Sequence, residues 1–276
     1  MDDVSRSSGT LAPRWGGTWV PALSLARREL RRFTRQRSRV IGALATPVVF
    51  WLLIGLGMGR SFAPPGASPA SGYITYFFPG TILMIVLFTA IFSTISMIDD
   101  RREGFLQSVL IAPIPVRSIV LGKLLGGTVL ATVQATVFLS VAPLLGIRLT
   151  VVSALLTVAV IAVLGFALTG LGLCIAWPMS STQGFHAIMN LLLMPLWFLS
   201  GALFPATGAI GPVRYAMQIN PLAYGLQTLR ETIYWDQPPQ AGIGVSSTMA
   251  AGITVCFALA MFGLACWIAQ RSAGDN

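Results

Sequence analysis

The chain has 276 residues, of which 55% are hydrophobic and only 10% are charged. Its mean hydropathy of +0.76 lies outside the range of soluble globular domains, so the composition indicates an integral membrane protein. The formal net charge of +9 does not indicate a nucleic-acid partner, because the basic residues flank apolar spans in a pattern that membrane topology explains.

The N-terminal region contains two segments of different character. Residues 1–18 are rich in Ser, Gly, Arg and Pro and are predicted to be disordered. Residues 19–39 place apolar side chains on one arc of a helix and arginines on the opposite arc, which is typical of a helix in the lipid headgroup layer. A simple positive-inside topogenic signal would contain the same arginines. The arginines expected at lipid phosphates are Arg28, Arg31, Arg32, Arg35 and Arg39.

Six apolar windows are each long enough to cross a hydrocarbon core of roughly 30 Å as a helix. They are unlike the short alternating strands of an outer-membrane barrel, so the predicted fold is an all-α transmembrane domain over residues 40–270. Fourteen of the 18 basic residues lie on the N-terminal side of the membrane in this topology, which predicts that both termini are cytoplasmic. The predicted spans are residues 41–59, 73–98, 119–146, 151–176, 183–204 and 247–269, followed by a tail at 271–276.

Residues 99–118 form a charged and amphipathic segment between spans two and three. The segment starts with acidic and basic residues and has Pro113 and Pro115 near its end, which predicts a short helix presented to a soluble partner. Its basic neighbours place it in the cytosol by the positive-inside rule. The sequence therefore indicates a docking element at this position.

Residues 195–245 break the pattern of long spans. Apolar and polar residues alternate there, with Pro205, Pro212 and Pro221 spaced along the segment. Two short helices that enter the outer leaflet and return, or lie along it, would account for this pattern. An ordinary extracellular loop with two surface helices is the alternative.

Few polar residues interrupt the spans. Gln134 in span three and Asn190 in span five are the candidates for lining a transport pathway. No span has an acidic residue near its midpoint, which argues against a proton-coupled or sodium-coupled carrier. Gly122 and Gly126 at the start of span three are interpreted as packing residues, because two small residues four positions apart let helix backbones approach closely.

The sequence contains none of the motifs of a catalytic or nucleotide site. HExxH, GxSxG, GxGxxG and the phosphate-binding GxxxxGK[ST] are all absent, so no catalytic residue, bound cofactor or metal site is predicted. The single histidine, His186, is interpreted as a helix-end side chain. The three cysteines fall inside predicted spans without a CxxC pair and are interpreted as packing residues. The energy for any transport should therefore come from another polypeptide.

The order of these features resembles the ABC-2 family of transporter permeases, and in particular its drug-resistance and daunorubicin-type branch. The resemblance extends from about residue 23 to residue 267. After span two, that family has a motif of the type RExGxLExLxxxP, in which Gln107 here replaces the usual second acid. The residues that match it are Arg102, Glu103, Gly104, Leu106, Leu110 and Pro113.

A second motif of the family follows span five, in the form LSGxxFP and then PLxYxxxxxR. In this chain the matching residues are Leu199, Ser200, Gly201, Phe204 and Pro205, and then Pro221, Leu222, Tyr224 and Arg230. The resemblance implies that the segment carrying this second motif is a re-entrant or interfacial element at the outer end. It also implies that residues 19–39 are the elbow helix of the family.

The resemblance further implies that the segment after span two is the coupling helix, which seats in a cleft of a separate ABC ATPase subunit. ATP and Mg would be bound by that partner and not by this chain. A second permease subunit, identical or homologous, is implied, with spans one, two and five at the dimer seam. The residues expected to contact the ATPase are Arg101, Arg102, Glu103, Gly104, Phe105, Leu106, Gln107, Leu110 and Pro113.

The function that the resemblance implies is export across a bacterial cytoplasmic (inner) membrane. The span residues are mostly apolar, which favours an amphipathic, drug-like or lipid-like substrate. One alternative is export of a lipid-linked polysaccharide precursor. Another, from a different class, is a membrane-embedded enzyme or assembly factor without transport activity.

Overall fold

The structure, a computed structural model, describes residues 18–58, 72–105, 114–236 and 242–274. The predicted disordered tail at residues 1–18 lies outside these ranges except for its last residue. The described part of the chain contains helices and no strand, which confirms the all-α fold class. Its ten α-helices are α1 (Trp19–Arg35), α2 (Arg37–Met58), α3 (Gly72–Ser93), α4 (Ile95–Arg102), α5 (Val116–Leu139), α6 (Val151–Ala176), α7 (Thr182–Phe198), α8 (Gly211–Ile219), α9 (Pro221–Ile233) and α10 (Ser247–Gly274).

Five helical stretches in the described ranges are long and apolar enough to cross a membrane, by length and composition. They correspond to predicted spans one to four and six. In place of predicted span five the structure has α7, a helix of 17 residues that is not among these stretches. A sixth span is therefore not established. The five stretches are Ile41–Met58, Gly72–Arg102, Val116–Leu145, Val151–Ala176 and Ser247–Ser272.

Predicted span five extends to residue 204, but α7 ends at Phe198. The reason is local, because Gly201 has a φ of +88°, a left-handed conformation that glycine adopts without steric cost. The backbone turns there and leaves the helix. The final six residues of the predicted span, 199–204, belong to this turn.

Helix α3 is the centre of the fold. Its most apolar window is 89% buried inside the chain, against 22% for the windows of α2 and α10. A helix that is apolar on all sides needs protein around it, and α3 packs against α2, α5, α6 and α9. The resemblance places span two at a dimer seam, but the chain's own helices already cover most of this span. Surfaces left open are found on α2, α5, α6, α7 and α10.

The predicted helix over residues 19–39 is divided in two. Helix α1 ends at Arg35, and α2 begins at Arg37. Helix α1 crosses α5 closely at Gly122 and Gly126, where an added Cβ would lie 2.7 Å from Leu25 Cβ and 2.8 Å from Glu29 Cβ. The interpretation of these two glycines as packing residues is confirmed.

The region after α7 contains two short helices, α8 and α9, as predicted. They meet at Asn220, whose side-chain oxygen accepts a hydrogen bond from Leu222 N at 3.0 Å and caps the start of α9. The amide nitrogen of Asn220 donates to Leu196 O at 2.6 Å and ties this corner to α7.

Candidate functional site

Helices α1, α4 and α5 bring charged side chains together at the predicted cytosolic end of the molecule, which we call the inner end. Helix α1 approaches α5 at its two glycines, and the end of α4 packs beside them. Three of the charged residues are almost completely buried, namely Glu29, Asp100 and Lys123. The charged cluster consists of Arg28, Glu29, Arg32, Asp99, Asp100, Glu103 and Lys123.

Lys123 is fully hydrogen-bonded inside the cluster. Its ammonium donates to Glu29 Oε1 at 2.7 Å, to Ser96 Oγ at 2.9 Å and to a carboxylate oxygen of Asp100. These three acceptors match the three N–H donors of the lysine. A buried ammonium is costly unless it is paired and hydrogen-bonded, so this arrangement makes the burial of Lys123 tolerable. It also connects three helices through one side chain.

Asp100 is the second centre of the cluster. Arg28 binds its carboxylate in a bidentate geometry, at 2.8 Å and 3.1 Å, and Arg32 donates to it at 2.7 Å. With the bond from Lys123, both carboxylate oxygens are saturated. The hydrogen bond to Asp100 raises the pKa of Arg28, against the opposing effect of burial. The helical pattern predicts Arg28 and Arg32 at lipid phosphates, but the structure pairs both of them with carboxylates of the same chain.

Glu103, the acidic residue of the first motif, lies at the edge of the cluster. Its side chain is 58% exposed, and it accepts a hydrogen bond from Arg32 Nη2 at 3.0 Å. An exposed ion pair of this kind contributes at most about 1 kcal/mol to stability. Glu103 is therefore available to a partner at little cost to the fold.

The next two residues lead the chain out of α4. Gly104 has a φ of +73°, the left-handed conformation that commonly ends a helix. The ring of Phe105 lies under the guanidinium of Arg28, with 3.7 Å between Cζ and the ring centroid. The other predicted ATPase contacts, Leu106, Gln107, Leu110 and Pro113, lie outside the described residues.

The remaining two predicted contacts point toward the connection between α6 and α7. Arg102 Nε donates to Ser180 O at 2.8 Å, and Arg101 Nη1 makes a long contact of 3.5 Å with Met179 O. The base of the 99–118 segment is thus tied to a second loop at the inner end. Together with the charged cluster, these bonds connect the segment to α1, α5, α6 and α7.

The other predicted interfacial arginines are more open. Arg31 and Arg35 are exposed on α1, where they border a groove of about 570 Å³ together with Arg27. The side chain of Arg39 lies outside the described part of the structure. The exposed arginines therefore remain available to anionic groups, whereas Arg28 and Arg32 are engaged within the protein.

Sequence reasoning missed the roles of Glu29 and Lys123. The available signals were a single acid inside an arginine-rich helix and a single lysine at the start of an apolar span. Neither signal identifies a partner, because Glu29 and Lys123 are 94 positions apart in the chain. Only the crossing of α1 over α5 brings them together.

At the opposite, outer end, the second motif forms a turn held against α3. The carbonyl of Gly201 accepts from Arg230 Nη2 at 2.8 Å and from the hydroxyl of Tyr76 at 3.1 Å. The guanidinium of Arg230 also lies over the ring of Tyr76, at 4.4 Å from the centroid. Tyr73 donates to Leu203 O at 2.6 Å in the same turn. Two halves of the motif, 29 positions apart, therefore meet at one carbonyl.

The other predicted residues of the outer motif make local contacts or begin helices in this region. Ser200 is buried and donates to Trp197 O at 2.6 Å. Phe204 and Tyr224 pack in a small apolar cluster, and the Tyr224 hydroxyl donates to Gln218 O at 2.6 Å. Pro205 precedes the short 3₁₀ helix Ala206–Gly208, and Pro221 is the first residue of α9.

The two predicted pathway residues are not brought together. Gln134 is buried, and its amide oxygen accepts from Thr89 Oγ1 at 2.7 Å between α5 and α3. Asn190 lies on the exposed side of α7. On the same side are Gln183 and His186, at helical spacing from Asn190.

The fold and these two sites define a multi-pass α-helical membrane protein with an ion-paired inner end and a folded turn at its outer end. The family model described as ABC-2 type transporter matches residues 22–234. The chain belongs to this family.

Curated relatives agree with this assignment. Nodulation protein J of Rhizobium meliloti (strain 1021) is 26% identical over 84% of this chain and 86% of that protein. The daunorubicin resistance ABC transporter permease protein DrrB1 of Streptomyces coeruleorubidus is 23% identical over 84% and 81%. The putative transport permease ycf38 of Cyanophora paradoxa is 25% identical over 75% and 71%. The chain is thus a transport permease subunit, and its family implies an ATPase partner.

Proposed function

We propose that this chain is the membrane subunit of an ATP-binding-cassette exporter in a bacterial cytoplasmic membrane, working as a homodimer or heterodimer with separate ATPase subunits. The substrate we propose is amphipathic, drug-like or lipid-like. The observation that carries the proposal is the buried charged cluster at the base of the 99–118 segment, which joins that segment to α1 and α5, while Arg101 and Arg102 bond to the connection between α6 and α7. Such a site suits the transfer of force from a docked partner.

The mechanical argument starts from the saturated hydrogen bonding of Lys123 and Asp100. Because breaking one of these buried pairs would leave an uncompensated charge, α1, α4 and α5 are expected to move as one body. Helix α4 continues into the central helix α3, whose far end is bonded to the turn at Gly201. A displacement at the inner end would therefore reach the outer turn through α4 and α3, which form one continuous helical stretch.

The ATPase contact proposed here uses the exposed part of the site. Glu103 offers a carboxylate for charge-assisted hydrogen bonds, and Phe105 and Leu106 begin an apolar stripe suited to a groove on the partner. Arg27, Arg31 and Arg35 on α1 would meet lipid phosphates at the same level. We further propose that α7 completes a six-span topology, in which both termini are cytoplasmic.

The cargo path we propose runs along the open side of α7. Gln183, His186 and Asn190 provide a few polar groups on a helix whose other exposed residues include Ile188 and Leu191. Sparse polar groups on an apolar surface suit an amphipathic cargo. In a dimer, α2 and α7 would face the second subunit, since α3 is covered by its own chain.

The test is ATP-dependent uptake of a fluorescent amphiphile into inside-out vesicles that contain the permease and its ATPase. Glu103→Lys, and separately the double change Phe105→Asp with Leu106→Asp, should abolish uptake and co-purification of the ATPase while membrane insertion persists. Arg148→Glu, an exposed change at the outer end, is the matched control and should retain both. Unchanged uptake and unchanged co-purification in both inner-end variants would refute the proposal.

A lipid-linked polysaccharide precursor is the alternative cargo. Among the three relatives named above, only DrrB1 carries drug resistance in its name. Competition for uptake distinguishes the two, because a lipid-linked saccharide should displace the fluorescent amphiphile only if both share the path.

A further inference from the structure

A cavity of about 630 Å³ opens between α6, α9 and α10 at the outer end of the molecule. Its volume falls within the range of about 300–1,000 Å³ that is typical of small-molecule sites. Helix α9 contributes polar groups, among them Gln227, Arg230 and Glu231. The apolar walls come from α6 and α10 and include Leu156, Ala159, Val160, Val163, Ala251 and Val255.

The cavity faces the surface that the bilayer would cover. Leu156 and Val255, at its edge, are 38% and 45% exposed on two of the candidate spans. Counted from the starts of α6 and α10, they lie about 8 Å and about 12 Å into the helices at 1.5 Å per residue. The opening is therefore in the outer half of the spans, and an acyl chain can enter it sideways.

The polar side of the cavity is rich in hydrogen-bond acceptors. Gln227 Nε2 donates to Glu231 Oε1 at 2.9 Å and to Val245 O at 2.8 Å, and its oxygen accepts from Ile243 N at 3.2 Å. Both N–H donors of the amide are thus used, and one of them fixes the carboxylate of Glu231 at the cavity. Within the described residues, Glu231 forms no ion pair.

Two threonine hydroxyls at the cavity are also available as hydrogen-bond acceptors. Thr228 donates to Tyr224 O at 3.0 Å, and Thr254 donates to Ala250 O at 2.8 Å. Because each hydroxyl hydrogen is used within its own helix, these groups can only accept from a ligand. A carboxylate and hydroxyl acceptors beside apolar walls favour an occupant with a cationic donor group and an apolar tail.

We propose that this cavity binds a membrane phospholipid whose headgroup carries a primary amine. The ammonium would donate to Glu231, and one acyl chain would lie along Leu156, Val160 and Val255. Arg230, which also borders the cavity, supplies positive charge for the headgroup phosphate, and the exposed indole of Trp235 stands at the rim, as is common at membrane interfaces. The site is separate from the charged cluster and does not depend on the proposed transport function.

The test is native mass spectrometry of the purified full-length chain with phosphatidylethanolamine and phosphatidylcholine of identical acyl chains. The ethanolamine lipid should be retained about tenfold better, since methylation removes the N–H donors. Glu231→Gln keeps the size of the side chain but removes its charge, and should bring the ratio close to one. Equal retention of both lipids by the unaltered chain, or an unchanged preference in Glu231→Gln, overturns the proposal.

A second pair of variants tests the apolar walls independently. Ala159→Phe fills the cavity and should lower retention of both lipids, whereas Leu155→Phe, one helix position outside the lining, should not. Thermal unfolding of each variant shows whether the fold is retained. Equal retention in Ala159→Phe and Leu155→Phe would place the lipid elsewhere and overturn the proposal.

Discussion

Two buried cations stand at opposite ends of the molecule and are compensated in different ways. Lys123 at the inner end is 5% exposed and donates to the carboxylates of Glu29 and Asp100. Arg230 at the outer end is equally buried, but it donates to the neutral carbonyl of Gly201 and lies over the ring of Tyr76. The bonds described for Lys123 include two to carboxylates, and those described for Arg230 are to a carbonyl and to an aromatic ring.

The difference determines what each site can tolerate. Removing Lys123 leaves two buried carboxylates short of a partner, whereas removing Arg230 takes a donor from the Gly201 carbonyl and a cation from the Tyr76 ring. The inner end is therefore expected to act as an obligatory electrostatic junction between three helices. The outer turn is expected to loosen, because the Gly201 carbonyl loses one of its two donors.

The largest effect is expected from Lys123→Met. Breaking a buried ion pair by removing one partner should lower the free energy of unfolding by about 3–5 kcal/mol. Thermal unfolding of the purified chain in detergent measures this change. Arg117→Met, an exposed change on the same helix, is the control, and adding Glu29→Gln to Lys123→Met should restore part of the loss. A loss no larger than in the control would remove the distinction between the two ends.

A smaller loss is expected from Arg230→Met. The Gly201 carbonyl would lose a charge-assisted bond, and the ring of Tyr76 would lose its cation, which together should cost about 1–3 kcal/mol of unfolding free energy. The same thermal measurement applies, with Arg214→Met on the exposed side of α8 as control. A larger loss of unfolding free energy in Arg230→Met than in Lys123→Met would show that pairing with opposite charge does not account for the difference between the two sites.

Phe105→Leu should have a still smaller effect on the fold. The substitution keeps an apolar side chain but removes the aromatic face under Arg28, worth about 0.5–1 kcal/mol at a partly exposed site. Comparing Phe105→Leu with the same change in an Arg28→Met background isolates the contribution of the pair. A coupling energy of zero would mean that the ring does not stabilise the inner end.

The smallest effect on stability is expected from Arg31→Gln combined with Arg35→Gln. Both side chains are exposed and lie outside the charged cluster, so the free energy of unfolding should change by less than about 0.5 kcal/mol. If these arginines meet lipid phosphates, the double variant should nonetheless retain less anionic lipid in native mass spectrometry. Unchanged retention of anionic lipid would show that Arg31 and Arg35 do not bind lipid phosphates. Of the arginines compared, only Arg28 and Arg32, which pair with carboxylates, would then have a charged partner.

Much of the fold could be predicted because long apolar helices are encoded locally. Five of the six predicted spans correspond to helices long and apolar enough to cross a membrane, and the glycines at 122 and 126 mark a close helix crossing as expected. The exception is predicted span five, where composition stays apolar through a turn that the conformation of Gly201 creates. Hydropathy averages over a window and cannot register a single left-handed residue.

The site was predicted less completely. The motif residues Glu103 and Arg230 were identified from the sequence, whereas the end of α4 before Gly104 was not. The partners of Arg28 and Arg32 were not, because a helical wheel shows only which side an arginine occupies. Whether that side meets lipid or protein depends on what packs against it.

The sequence by itself determined that this is an all-α membrane protein, where its charged segment begins and which family it belongs to. Each of these follows from local composition, periodicity or a short motif. Only the tertiary structure decided that Lys123, Glu29 and Asp100 share one buried site and that α3 is enclosed by its own chain. The physical reason is that an ion pair depends on distance in space, and these partners are up to 94 positions apart in the chain.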